Sequence, residues 1–148
     1  MTLKAQILED VKIAMRARDQ KRLTALRLIT AAIKQIEVDQ RIELDDQAVL
    51  AVLDKMVKQR RESLAQYESA GRHDLAEQEQ FELDLISVYL PEALSDEEVA
   101  ALIKQAIADT GASSIRDMGA VMNKLRGEVQ GRADMKAVSS TVKAQLGA

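Results

Sequence analysis

The sequence predicts an all-α, multihelical protein: a four-helix antiparallel part over residues 1–91 followed by a small three-helix tail over 92–148. Three observations predict it. Apolar residues recur at steps of three and four through most of the chain, which is the period of one helix face. No credible strand pattern is present. One proline and six glycines are few breaks for 148 residues, and an apolar content of 47% is enough to fill a core.

The elements follow in order. Thr2 is placed to cap a first helix whose apolar positions are Leu3, Ile7, Leu8, Val11 and Met15. Asp19 caps a second, running to about Val38 through Leu23, Leu26, Ile29, Ile33 and Ile36. Leu28, Ala31 and Ala32 broaden its apolar face, so it is expected to be central. Asp45 caps a third helix, with Leu44 and Val49 at the two positions of a hydrophobic staple. Its stripe passes through Val52, Leu53, Met56 and Val57 to Tyr67, and Gly71 suits the left-handed residue after its end.

A fourth helix is read from near Asp74 to Tyr89 and is stopped by Pro91, whose ring clashes with the preceding turn. Ser95 and Glu98 form a capping-box pattern with Leu94 and Val99 as its staple. The helix that follows carries Val99, Leu102, Ile103, Ala106 and Ile107. After a loop at Gly111 comes a short helix with Met118, Val121, Met122 and Leu125. Gly127 and Gly131 bracket another expected loop. Asp134 caps the last helix, built on Met135, Val138, Val142 and Leu146.

Composition removes several function classes. There is no cysteine, so thiol nucleophiles, disulfides and thiolate metal sites are excluded. A single histidine, His73, excludes a multi-histidine metal site within one chain. Aromatics are only 2%, too few for base-stacking platforms. No apolar run approaches the length of a membrane span, and the N-terminus shows no signal-peptide apolar core, so a cytoplasmic protein without membrane attachment is expected. Phosphate-binding glycine loops and a nucleophile elbow are missing as well. The expectation is therefore no catalytic residue, no metal and no cofactor.

The overall charge of −3 hides a division: residues 1–44 carry +3, residues 45–94 carry −6 and residues 112–148 carry +3. Two places interrupt the expected pattern. Arg60 falls where the third helix should bury a residue, and Glu79 and Glu82 share the face of Leu75, Ile86 and Tyr89. With Gly71 as the hairpin midpoint, Arg60 lies opposite Glu82, so it is expected to pair with Glu82, Glu79 or both. A structural ion pair fixing helix register is the favoured reading over a catalytic carboxylate pair. In the tail, Lys124, Arg126, Arg132, Lys136 and Lys143 cluster on two short helices and the loop between them, beside Gly119 and Gly131. Helix N-termini and glycine loops offer backbone donors to phosphate, so these residues are the candidate nucleic-acid contacts. The basic run Arg16 to Arg22 is read as a solvated turn.

The sequence resembles the GatB/YqeY family over essentially its whole length. The resemblance is carried by Leu26-Arg27-Leu28-Ile29 with Ala32-Ile33-Lys34, Lys58-Gln59-Arg60-Arg61-Glu62-Ser63 with Tyr67, and Ala70-Gly71-Arg72-His73-Asp74-Leu75-Ala76. It continues through Glu79, Glu82, Tyr89-Leu90-Pro91 and Leu94-Ser95 to Met118-Gly119-Ala120-Val121-Met122, Gly131-Arg132-Ala133-Asp134 and the stretch from Val138 to Leu146. The latter part is similar to the tail of the B subunit of glutamine-dependent Asp/Glu-tRNA amidotransferase.

The resemblance implies an all-helical protein of two subdomains. It also implies an association with tRNA, since the related tail helps to hold tRNA in the amidotransferase and, as an appendage, on some glutaminyl-tRNA synthetases. A label of carbon–nitrogen ligase with glutamine as amido donor would follow from the same resemblance. The kinase–transamidase centre, however, belongs to another domain of the B subunit, and the glutaminase machinery to another subunit. The expectation is a tRNA-binding helper, working with an aminoacyl-tRNA synthetase or an amidotransferase component. The alternatives are a subunit of such a ligase complex and a helical protein-interaction adaptor.

Overall fold

A computed structural model describes residues 1–147. Among them are seven α-helices, one 3-10 turn and no strand: α1 (Leu3–Ala17), α2 (Gln20–Gln40), α3 (Asp46–Ser69), α4 (His73–Ser87), α5 (Asp96–Thr110), the turn Ile115–Asp117, α6 (Met118–Val129) and α7 (Met135–Gly147). The fold is all-α. The chain divides into two compact units, Met1–Leu90 and the part from Pro91 onward.

In the first unit α1 packs on α2 and α3 on α4. The polar side chains at the starts of the first three helices do what their positions demand. Thr2 Oγ1 accepts from the Ala5 N–H, Asp19 from Arg22 and Asp45 from Ala48. Leu44 and Val49, the staple pair, are both buried. Ile7, Leu26, Ile29, Val49, Leu53 and Ile86 lie fully inside the core. Each such side chain contributes roughly 1.5–3 kcal/mol by leaving water.

The α3 end is closed by Gly71 at φ +71°, where the Arg72 N–H donates to the Tyr67 carbonyl at 2.9 Å and the Gly71 N–H to Glu68 at 3.1 Å. These are the two bonds of a Schellman closure. α1 closes in the same way with Arg18 at φ 55° in place of glycine, the Asp19 N–H reaching Ala14 and the Arg18 N–H reaching Met15. Arg41 is likewise left-handed after α2.

Two expectations need correction here. The apolar face of α2 is broader in sequence than in the core: Leu28 and Ala31 are exposed, while Leu23, Leu26, Ile29 and Ile33 are buried. Packing on α2 covers one arc of the helix, and the neighbours do not close around it. α4 begins at His73, close to the expected start near Asp74, with no side-chain cap, and Arg72 pairs with Asp74 at 3.3 Å. It stops at Ser87, and Val88, Tyr89 and Leu90 form a tighter turn whose N–H groups donate three residues back, fitting a chain that must avoid the helical conformation before Pro91.

In the second unit Ser95 and Glu98 complete a reciprocal capping box. Gly111, at φ +66°, closes α5 with the Ala112 N–H on Ile107 and its own N–H on Ala108. Ile103, Val121, Leu125, Val129, Val138 and Val142 fill a separate core. Gly127 does not bracket a loop but lies inside α6, since the fully buried Val129 two residues on keeps the chain helical, and one interior glycine costs only about 1 kcal/mol. The apolar period gives no sign of the 3-10 turn before α6. It is held by Asp117, whose carboxylate accepts from the Ser113 and Ser114 N–H groups and is thereby held below the usual carboxylate range.

Candidate nucleic-acid interface

The charged residues that interrupt apolar stripes have structural duties in the first unit. Arg60 Nε donates to Glu82 Oε2 at 3.0 Å, with the two side chains only 15% and 12% exposed. Gln78 donates to the other oxygen of Glu82 at 3.2 Å. Of the two carboxylates considered, Arg60 therefore pairs with Glu82. Glu79 makes no ion pair among the described residues, and its carboxyl is pushed up by burial and by the neighbouring Glu82 charge, against a weaker pull from Arg60. This arrangement bridges α3 and α4.

A second polar clasp escapes a reading of the sequence alone. Glu37 is the buried charged residue of α2, with 9% exposure. It accepts from Lys4 Nζ at 2.7 Å and from the Leu44 N–H at 2.9 Å, which together hold its carboxyl below the usual range. One side chain thus ties the start of α1 to the loop entering α3. Its position four residues after Ile33, on the buried stripe, is the signal that could have found it. Nearby, the Leu3 N–H donates to Asp46 at 2.9 Å. Tyr89 donates its hydroxyl to Asp10, and burial raises the phenol above its ordinary value.

In the second unit the candidate cations separate into two groups. Lys124 reaches Asp109 at 3.7 Å and ties α6 to α5. Arg132 donates from Nε to the Glu92 carbonyl at 3.0 Å, while its own carbonyl accepts the Leu94 N–H at 2.8 Å. It is a strap that holds the segment entering α5 against the α6–α7 loop. Sequence could not reveal this duty, because the partner atoms are backbone groups about 40 residues away.

Arg126 is exposed on α6 and lies 3.5 Å from the Asn123 side-chain oxygen. Lys136 and Lys143 are exposed on α7, seven residues apart and hence on one face, with no ion-pair partner among the described residues. Ser140 lies between them on the same exposed side, while Val138, Val142 and Leu146 are buried on the other. Gly131 has φ +77°, a conformation that favours glycine. Gly119 lies in the first turn of α6 with open space where a Cβ would stand. Close packing does not require a glycine there.

Known proteins match this helical chain along nearly all of it. The model of the Yqey-like protein family matches residues 4–146. The chain belongs to the YqeY-like family. Its relatives include proteins named "Altered inheritance of mitochondria protein 41, mitochondrial". The one from Eremothecium gossypii is 43% identical over 66% of this chain and 55% of its own length. The one from Pyrenophora tritici-repentis is 30% identical over 94% of this chain and 78% of its own. The one from Kluyveromyces lactis is 36% identical over 71% and 58%. The YqeY-like chain thus spans little more than half the length of the first and third relatives.

These names correct one expectation. The lack of a long apolar run and of a signal-peptide core predicts a cytoplasmic setting, whereas the relatives are named as mitochondrial proteins. Those two signals report on membrane insertion and secretion and carry no organelle address. No helix among the described residues is long and apolar enough to cross a membrane.

Proposed function

We propose that this YqeY-like chain is a non-catalytic helper that docks on tRNA through its C-terminal unit, with the solvent face of α7 as the principal contact. The observation that carries the reading is the pair Lys136 and Lys143, exposed, aligned on one face and without an ion-pair partner among the described residues. Two such ammonium groups with Ser140 between them suit phosphate and sugar contact, which positions an RNA without reading its bases. Arg126 adds charge from α6. Lys124, 3.7 Å from Asp109, and Arg132, whose Nε donates to the Glu92 carbonyl, support the surface by fixing α5 and the α6–α7 loop. The resemblance of the tail to that of the tRNA amidotransferase B subunit supports the same reading. The proposed users of the docked RNA are an aminoacyl-tRNA synthetase or an amidotransferase component.

The test is a salt series of tRNA binding to the full chain and to a Lys136→Glu/Lys143→Glu variant. The expected result is weaker binding and a shallower dependence on salt, the slope falling by roughly one unit for each phosphate that the variant no longer neutralises. Equal affinity and equal slope for both proteins would remove the proposed face.

A further inference from the structure

α2 carries a second apolar stripe on the side turned away from the core. Leu28, Ala31 and Val38 follow one another along it, and Ile42 continues the line just past the helix end. With Gln35 between Ala31 and Val38 the steps within the helix are three, four and three, the spacing that a partner helix meets in a coiled-coil seam. All are exposed, and the large ones markedly so: Leu28 42%, Val38 61% and Ile42 49%. One flank of this stripe is basic at regular intervals, with Arg27, Lys34 and Arg41 each seven residues from the next. None of the three is in an ion pair among the described residues. At the far end Lys34, Val38, Arg41 and Ile42 line an open groove of about 340 Å³ together with the Lys4–Glu37 clasp and the exposed Glu43, whose carboxylate lies 3.8 Å from Lys4. Gln35, inside the stripe, donates to Asp39 at 2.9 Å on the opposite flank.

We infer that this face of α2 is a docking surface for an acidic amphipathic helix of a partner protein. The partner would lay aliphatic side chains on Leu28, Val38 and Ile42 and set a row of carboxylates against Arg27, Lys34 and Arg41. Charge decides the occupant. A second copy of the chain laid antiparallel would bring the basic flanks together, and like charges across a helix pair repel. A nucleic-acid backbone would answer the cations but leave the aliphatic stripe uncovered. An anionic membrane is served by cations on both edges of an apolar face. Here the other edge carries Asp39. This surface belongs to the first unit and uses no residue of the proposed RNA face.

The experiment uses the full chain and two synthetic helical peptides with leucine at the seam positions, one with glutamate and one with lysine on its flanks. The expected result is binding of the glutamate peptide about tenfold or more tighter than the lysine peptide. An Arg27→Glu/Lys34→Glu/Arg41→Glu variant should reverse that preference. A Leu28→Ser/Val38→Ser variant should weaken both peptides while circular dichroism and the melting temperature stay unchanged, since both side chains are exposed. The inference is overturned if the wild-type chain does not bind the glutamate peptide, or if both variants bind it as well as the wild type does. It is also overturned if only phosphatidylserine-containing vesicles bind, or if sedimentation shows a dimer through this face.

Discussion

The two units hold long and short helices together by different means. In the first, helices of up to 24 residues are pinned by polar contacts between distant positions: Lys4 with Glu37, Arg60 with Glu82, and Tyr89 with Asp10. In the second, helices of 12 to 15 residues share a core of aliphatic side chains; the Lys124–Asp109 pair lies at the surface, and other polar groups work at the helix ends, as in the Ser95–Glu98 box and the Arg132 strap. The difference extends to helix termination. The first unit places Arg18 and Arg41, as well as Gly71, in the left-handed conformation, whereas the left-handed residues of the second are glycines, Gly111 and Gly131. A pair that includes a long helix such as α2 or α3 can slide by a turn and bury similar area, so a charged pin adds specificity there. The second unit has no helix longer than 15 residues and depends more on each helix being started and stopped correctly.

The largest effect should separate the two cores. Leu125→Ala removes a fully buried side chain from the smaller core and should cost about 2–5 kcal/mol. Hydrogen exchange should then show α5 to α7 unprotected while α3 and α4 keep their protection; uniform loss would show that the units unfold as one. Next, Arg60→Ala should cost up to about 3 kcal/mol by leaving Glu82 without its cation in a mostly buried place. Arg60→Met with Glu82→Leu should return most of that in urea denaturation, which would identify the pin as a register device.

Acidity offers a finer contrast within the first unit. The Glu37 carboxyl is depressed by Lys4 and Leu44, so its clasp contributes fully above the ordinary carboxylate range and is lost as pH falls through its lowered folded value. Glu37→Gln should therefore destabilise at neutral pH, and its deficit should shrink on acidification. Glu79 is raised, so its ionised form is disfavoured by folding, and that penalty grows as pH rises from the ordinary carboxylate value to the raised one. Glu79→Gln should stabilise at neutral pH and become silent in acid. Melting temperatures over a pH series check both signs.

The smallest effects lie at the helix ends. Gly111→Ala should lose about 1 kcal/mol from the backbone alone, because open space surrounds the would-be Cβ. Arg18→Gly should gain a few tenths of a kcal/mol, because relief of the left-handed strain exceeds the added freedom of the unfolded chain. A lowered melting temperature for Arg18→Gly would mean that the arginine side chain itself stabilises the turn.

The helices, most of their ends and the Arg60 pin are legible in the order of residues alone. Period, caps and staples act within a turn or two, so Thr2, Asp19, Asp45, Ser95 and Gly71 can be read where they stand. Arg60 is legible because a charge on an apolar stripe must find a partner, and the hairpin midpoint at Gly71 names it. Other outcomes emerge only when the chain is folded: which apolar residues of α2 are core and which are exposed, Glu37 bridging two helices and a loop, and Arg132 strapping the segment entering α5 to the α6–α7 loop. They depend on where a neighbouring backbone passes. Side-chain period records that a face is apolar, but burial also requires something to cover it, and on the outer side of α2 no neighbour among the described residues does.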